Sequence, residues 1–574
     1  MESSSWSSVA QYAVFLAVVV LLVKPIGAYI TRVFERQPTF LDFLFRPIER
    51  LIYKITRVDA GLEMNWREYA ISFVTFSFVG TFLLFLILKT QSILPLFSLN
   101  GEFLVTPMTA DLAFNTAISF ATTTTWQAYG GETTMSYLSQ VIGLTVQNFL
   151  AGAGGLAIGI AFIRGLARRD TDLLGNFWVD LVRGLLWILL PLSIIGSLLL
   201  VWQGVPANFL PYTQVTTLDG GSQTIAQGPI AVLEFIKNLG TNGGGFFNVN
   251  GAHPFENPTP FTNFLEMLAI VVLPAALTNV FGRMVKRPRQ GWILFWTMTV
   301  LFAAGLFFNS WFEQQGNPLI SNEGAVVQTA GNMEGKETRF GVSGSVLTAI
   351  TTSNGATGSY NSMHDSFTPI GGGIPLINML LGEIIYGGLG TGFYSIAMVA
   401  LIALFIAGLM IGRTPEYLGK RIGIIEIKLI MLYTLAAPLV ILSLTALALV
   451  TSGGLAGLTT NDGAHGFTEI LYAYTSAFAN NGQNFAGLSA NSIFYNVTTA
   501  VAMIIGRFGL AIPALALAGQ FAAQGRRPVT LGTLPTDGIE FGVLLGATAL
   551  IVGGLSFFPA LTLGAILEHL LMTQ

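Results

Sequence analysis

The chain contains no cysteine and only four histidines in 574 residues. Disulfides, zinc thiolates and thiol catalysis are therefore excluded. Charge is scarce too: 10% of the residues are Asp, Glu, Lys or Arg, where a soluble domain carries about 25%. Such a chain cannot cover a wet surface. The net charge is −3 and no Lys- or Arg-rich run occurs, which removes nucleic acid as a partner. There is no GxxxxGK[ST] phosphate loop and no Asp-Lys-Thr-Gly-Thr phosphorylation sequence. If ATP drives this protein, another chain hydrolyses it. HExxH and GxSxG are missing as well. With His253, His364, His465 and His569 scattered along the chain, an intramembrane hydrolase has no catalytic cluster to work with.

What is present is apolar length. Hydrophobic residues make up 52% of the chain and come in long blocks; Ile71 to Leu88 holds no charge at all. A helix needs about 20 such residues to cross the hydrocarbon core. Ten spans are expected, near 8–30, 69–88, 134–162, 183–203, 262–282, 292–311, 373–411, 427–451, 494–519 and 541–558. Residues 1–11 carry Glu2 and no Lys or Arg, unlike the basic opening of a secretory signal. Val9 to Ile30 therefore reads as a retained first span.

The basic residues test this layout. Of the 27 Lys and Arg, all but Lys89, Lys237, Lys336, Arg339 and Arg507 fall on one side if the spans alternate. Positive charge stays cytoplasmic, so both termini are expected outside. Four shorter segments rich in Gly, Thr and Asn, near 111–131, 229–248, 344–358 and 466–487, must then enter from outside and return there. Irregular backbone at membrane depth is tolerated only where protein or a water-filled cavity covers it. The expected fold is an all-α polytopic membrane protein with ten transmembrane helices. It has four pseudo-fourfold span–pore-loop–span repeats (69–162, 183–282, 292–411 and 427–519), flanked by spans within 1–30 and 541–558.

The four segments read Ser119–Glu132, Leu239–Asn248, Thr348–Ala356 and Thr475–Gly487. Each sets Thr, Ser or Asn beside glycine or, in the first, beside Gln127. A potassium site replaces hydration water with backbone carbonyl and hydroxyl oxygens, and glycine lets the chain take the positive φ that turns carbonyls inward. No Asp or Glu falls in the stretches expected to form the filter, which suits a monovalent ion better than a divalent one.

The seventh span, Ile374 to Met410, is interrupted by Gly382–Gly392. This reads as a broken helix projecting loop into the cavity beneath the filter. Glu383 in that loop is either a functional acid at membrane depth or a protonated, locally hydrogen-bonded glutamate at a helix end. His364 and Asp365 follow the third segment and read as a polar brace of the outer vestibule. One His–Asp pair without a third ligand does not make a metal site.

Several long stretches carry a family resemblance: TTTTWQAYGGE (122–132), NLGTNGGGFFNVN (238–250), SMHDSFTPIGGGIP (362–375), GRTPEYLGKRI (412–422), NNGQNFAGLSANSIFYN (480–496) and IGRFGLAIPALALAG (505–519). In these the chain resembles the A, potassium-binding, subunit of the bacterial Kdp potassium-importing ATPase, within the superfamily of potassium transporters. The resemblance implies a non-catalytic, multi-pass subunit of the bacterial plasma (inner) membrane. Its partners would be a P-type ATPase subunit carrying ATP and Mg2+, a single-span accessory subunit and a small peptide subunit. The chain itself would carry no cofactor, only K+ as transported ion. The implied filter residues are Thr123, Thr124, Thr125 and Gln127; Thr241, Asn242, Gly243, Gly244 and Gly245; Thr352, Ser353, Asn354 and Gly355; and Asn480, Asn481 and Gly482. Asn354 departs from the small Thr, Ser or Cys expected there. The pore exit would involve Gly382, Glu383, Gly387, Gly388 and Gly390. Arg413, Thr414, Pro415 and Glu416 would contact the ATPase subunit. Hydropathy and loop chemistry alone are equally compatible with a stand-alone potassium channel or an ion-coupled potassium transporter of the same superfamily.

Overall fold

A computed structural model describes residues 2–93, 104–322, 328, 330–528 and 533–574; Met1, where the expected flanking unit 1–30 begins, lies outside them. Among the described residues ten helices are long and apolar enough to cross a membrane. They are α1 (Ser7–Phe34), α3 (Trp66–Thr90), α5 (Ser139–Ala167), α6 (Phe177–Trp202), α8 (Pro260–Met284), α9 (Pro288–Gln314), α12 (Thr391–Met410), α13 (Ile424–Val450), α15 (Ile493–Ala523) and α16 (Ile539–Leu563). The chain is a multi-pass membrane protein. Burial separates the layers: 89% of the most apolar window of α5 is enclosed, against 22% in α3 and α13. The inner helices touch protein all round, whereas the outer ones present Ile, Leu, Val and Phe to lipid.

Four short helices stand between alternate spans: α4 (Ala110–Ala121), α7 (Ile230–Leu239), α10 (Gly341–Asn354) and α14 (Gly463–Ala479). At 10 to 17 residues they are too short to span the core. Each stops inside the protein, so the pattern is span, half-helix, span, four times. The expected break in the seventh span is real. A half-helix α11 (Pro369–Leu380) ends at Leu381, and α12 restarts after Gly390.

Some helix starts are capped as their sequences dictate. Asn65 accepts from the Arg67 and Glu68 amides while Glu68 reaches back to the Asn65 amide, a reciprocal box that starts α3. Thr259 and Thr262 do the same for α8, with Pro260 at its first position, where its missing N–H costs nothing.

A helix between the first two spans was not expected from hydropathy. The α2 helix (Asp42–Thr56) buries Phe45 and Glu49 and exposes Phe43, Leu44, Leu51 and Ile55 beside Arg46, Arg50 and Lys54. It is too short and too charged to span, and has the composition of a helix lying in the interfacial plane.

The face carrying the basic connections is tied by buried polar contacts. Lys420, in the hairpin Glu416–Tyr417/Lys420–Arg421, donates to the carbonyls of Gly165, Arg168 and Phe521, which lie at or just beyond the C-termini of α5 and α15. Arg164 holds Asp180 through both guanidinium nitrogens, at 2.5 and 2.9 Å, and also the Leu174 and Phe34 carbonyls. Removing one partner of such a buried pair strands the other charge, at a cost of about 3–5 kcal/mol. Asp180→Asn is therefore expected to lower Tm in detergent. An unchanged melting curve would show that the pair contributes nothing.

Candidate functional site

Each half-helix ends the same way. The chain leaves its C-terminus through a residue in the left-handed region: Thr123 (φ 64°), Thr241 (52°), Ala356 (48°) and Asn480 (57°). A left-handed residue after a helix is an ordinary stop, but glycine usually occupies it. For threonine it is a genuine outlier, of the kind that concentrates at ligand clamps. Two residues on, positive φ recurs at Thr125 (51°), Gly243 (83°) and Gly482 (91°).

The four strands that follow pack so closely that their glycines leave no room for a side chain. Gly243 pairs in parallel with Gly358, and the Gly244 amide donates to the Gly358 carbonyl at 3.2 Å. A Cβ at Gly358 would strike the Gly482 backbone, at Gly482 the Thr124 carbonyl, and at Gly244 the Thr125 methyl. The second strand thus touches the third, the third the fourth, the fourth the first and the first the second. The ring is closed.

Outer contacts hold it. The Gly245 amide donates to Gln127 Oε1 at 2.8 Å, and Gln127 Nε2 returns a bond to the Gly245 carbonyl at 3.1 Å. Asn480 Nδ2 reaches Thr124 Oγ1 at 3.0 Å, Asn481 Nδ2 reaches the Thr352 carbonyl at 3.0 Å, and Arg507 reaches Thr123 Oγ1 at 3.2 Å. Asn242 is buried against Asn148 and Gly240. Behind the second strand, Lys237 is wholly buried, with Glu234 at 2.7 Å, Glu256 at 3.1 Å and Asn250 at 2.6 Å. Asn250 in turn donates to the Gly244 carbonyl, and Glu256 accepts from the Phe247 amide at 2.8 Å.

The third strand differs from its sequence reading. Thr352, Ser353 and Asn354 lie in the last turn of α10 and Gly355 follows as its cap. The segment that stands beside Gly243 and Gly482 is Ala356–Thr357–Gly358. Asn354 turns back along its helix, donating to the Ile350 carbonyl at 2.9 Å, so its longer amide does not enter the ring. Thr123–Gln127, Thr241–Gly245 and Asn480–Gly482 do come together. The residues missed were Ala356, Thr357, Gly358 and the Lys237 cluster. The available signal for the cluster was Lys237 itself, one of five cations on the wrong side.

Beneath the ring lies the loop between α11 and α12. Gly382 (φ 83°), Glu383 (53°), Tyr386 (50°) and Gly390 (90°) are all left-handed. Glu383 is buried and accepts from Asn481 Nδ2 at 3.0 Å, and no Lys or Arg pairs with it among the described residues. The Leu389 amide donates to Thr241 Oγ1 at 2.8 Å, Gly388 abuts Ala356, and Gly390 is wedged between Gly155 and Gly159. Gly387 packs on the Glu383 carbonyl. The loop therefore touches the second, third and fourth strands. Beside it a cavity of about 90 Å3 is bordered by Glu383, Asn480, Ser395, Tyr433 and Thr434. Above the ring a vestibule of about 580 Å3 is bordered by Gln127, Tyr129, Tyr360, Asn484 and His364. Burial, and Lys336 nearby, push the His364 imidazole down to about 3, so it adds no positive charge to the mouth.

On the basic face, Arg413 and Thr414 are exposed. Pro415 is buried against Gly408, and Glu416 accepts from Thr533 at 2.5 Å.

A family model, that of the potassium-transporting ATPase A subunit (KdpA), matches residues 13–570. The potassium-transporting ATPase potassium-binding subunit of Methylorubrum extorquens is 53% identical over 569 residues, 99% of this chain and 98% of its own. Its counterpart in Granulibacter bethesdensis is 52% identical over 574 residues, 100% and 99% of the two chains. That of Rhodospirillum centenum is 51% identical over 563 residues, 98% and 97%. The crystal structure of the potassium transporter TrkH from Vibrio parahaemolyticus is similar over 85% of this chain and 96% of its own, at 12% identity and a TM-score of 0.47. Matched across nearly its whole length by that family model and more than half identical to such relatives end to end, this chain belongs to the family of potassium-transporting ATPase A subunits.

Proposed function

We propose that this chain is the potassium-binding, non-hydrolytic subunit of an ATP-driven potassium import complex in the bacterial inner membrane. Both termini and the vestibule face outward and the basic connections inward. The chain is organised as units 69–162, 183–282, 292–411 and 427–519 around the pore, flanked by 1–30 and 541–558. Potassium sheds its water at a ring of neutral oxygens from Thr123–Thr125, Thr241–Gly245, Ala356–Gly358 and Asn480–Gly482, with Gln127 holding the upper wall and Thr352 and Ser353 supporting the third strand. It then waits above the plug formed by Gly382–Gly390, where Glu383 marks the way into the side cavity. A P-type ATPase subunit with its own ATP and Mg2+ takes the ion onward. A single-span subunit and a small peptide subunit complete the assembly, and Arg413 and Thr414 stand free to meet the ATPase while Pro415 and Glu416 anchor their turn.

The observation that carries this reading is the closed ring of four strands, each entered through a left-handed residue, with positive φ recurring in the first, second and fourth and no carboxylate in any. Residues at positive φ let carbonyls turn to the side that a right-handed or extended residue would not present, as a filter for a weakly hydrated monovalent ion requires.

Calorimetry on the purified chain tests it. Potassium and rubidium are expected to bind and to displace each other, with sodium unable to compete. Equal binding of all three, or none in a folded protein, would refute the filter. Retention of an ATP-hydrolysing chain through mild-detergent purification is the matching test of the partner.

A further inference from the structure

Away from the filter, on the vestibule face, three elements distant in sequence set one imidazole among carboxylates. His465 stands in the first turn of α14 and Glu469 one turn further on. Asp365 belongs to the short turn His364–Ser366, and Glu568 to a C-terminal helix, α17 (Ala565–Met572). His465 Nε2 lies 3.0 Å from Asp365 Oδ1 and 3.9 Å from Glu469 Oε1. One ligand atom from each of Asp365, His465 and Glu469 lies within 4.8 Å of the other two. A tetrahedral zinc with bonds near 2.0–2.1 Å keeps its ligand atoms roughly 3.3 Å apart; His465 and Asp365 already stand at about that spacing, and Glu469, at 3.9 Å from the imidazole, has to close in to reach it.

Three further features fit a bound ion. The Glu469 side chain is fully enclosed. Its Oε1 accepts from Asn461 at 2.8 Å, but its Oε2 has no hydrogen-bond partner among the described residues. An enclosed carboxylate oxygen left without a donor is expensive, and a cation held by this carboxylate through Oε1 would offset that cost. Secondly, His465 Nδ1 faces Glu568 Oε1 at 2.7 Å. A carboxylate on the far ring nitrogen fixes the tautomer that presents the other nitrogen to a metal. Thirdly, Gly487 leaves the gap open: a Cβ there would press on Glu469 Oε1 and sit 2.8 Å from Asp365 Oδ2. A cavity of about 340 Å3 bordered by Asp365, Asn461, His465 and Glu568 gives a way in.

We propose that Asp365, His465 and Glu469 form a binding site for a divalent transition cation, zinc above all, with Glu568 orienting the imidazole and the fourth position left to water. One nitrogen and two oxygens, without thiolate, suit zinc or cobalt; calcium asks for six to eight oxygens and magnesium for near-ideal octahedral oxygen geometry. On binding, the ion takes the place of the proton between Nε2 and Asp365 and releases it to solvent. The bound ion ties the turn after the third strand to α14, which leads into the fourth, with α17 joined through Glu568.

The test is zinc titration by calorimetry and cobalt titration by visible absorption, on the intact purified chain after chelator treatment. One ion per chain is expected, with the intense d–d bands of tetrahedral cobalt. His465→Gln should abolish saturable binding, and Glu568→Gln should weaken it by about 10–100-fold. Potassium binding in each variant confirms folding. Should His465→Gln fail to fold, Asp365→Asn carries the test. Absence of saturable zinc binding, equal affinity in a folded His465→Gln or Asp365→Asn protein, or equal binding of magnesium would overturn the proposal.

Discussion

Gly482→Ala is expected to lower potassium affinity by about 100-fold while leaving a folded protein. Gly482 has φ 91°, and a Cβ there would lie on the Thr124 carbonyl of the neighbouring strand. Positive φ costs a non-glycine residue about 1–2 kcal/mol, and overpacking adds about 1–3 kcal/mol. A loss near 3 kcal/mol corresponds to about two decades of affinity. The strain falls on the ring and not on the lipid-facing helices, so Tm should drop modestly. Gly554 is the control: nothing lies within 4 Å of its notional Cβ, and Gly554→Ala should bind potassium like the parent. Parental affinity and selectivity in Gly482→Ala would show that the ring does not hold the ion. Gly245→Ala tests the same wall from behind, because its Cβ would sit 2.7 Å from the Glu256 carboxylate.

Lys237→Met is the more damaging change. Lys237, Glu234 and Glu256 are wholly enclosed, and the lysine touches both carboxylates. Without it two glutamates remain buried beside each other, a cost of about 3–5 kcal/mol. The loss also reaches the ring, since Asn250 gives up its 2.6 Å contact with Lys237 while still holding the Gly244 carbonyl. Poor yield, a much lower Tm and loss of potassium binding are expected together. Lys237→Met combined with Glu234→Gln and Glu256→Gln should recover part of the Tm, because neutral amides remove the repulsion. A single variant that melts like the parent, or a triple variant no better than the single, would mean that the cluster's charges are not what secures the second strand.

The spans were legible because crossing hydrocarbon is a one-dimensional demand, about 20 apolar residues in a row, and Ile71 to Leu88 meets it unaided. The breaks at Gly243, Gly244, Gly382, Gly390 and Gly482 could be anticipated, since glycine takes positive φ freely. Thr123, Thr125 and Ala356 take it against their own preference, and only surrounding structure can impose that. The same cause explains the third strand. Thr352–Gly355 imitates the other loops in composition, yet the helix runs on to Asn354 and the chain turns at Ala356.

By itself the sequence determined the solvent, the number of crossings, the sidedness expected of the charges and the neutral chemistry of the four returning segments. These depend on local composition. Tertiary structure alone decided which residues share the ring, why Lys237 is enclosed without being stranded, and that His465 meets Asp365 across 100 positions and Glu568 across 103. Those are meetings between elements far apart in the chain, and side-chain packing, not local preference, selects them.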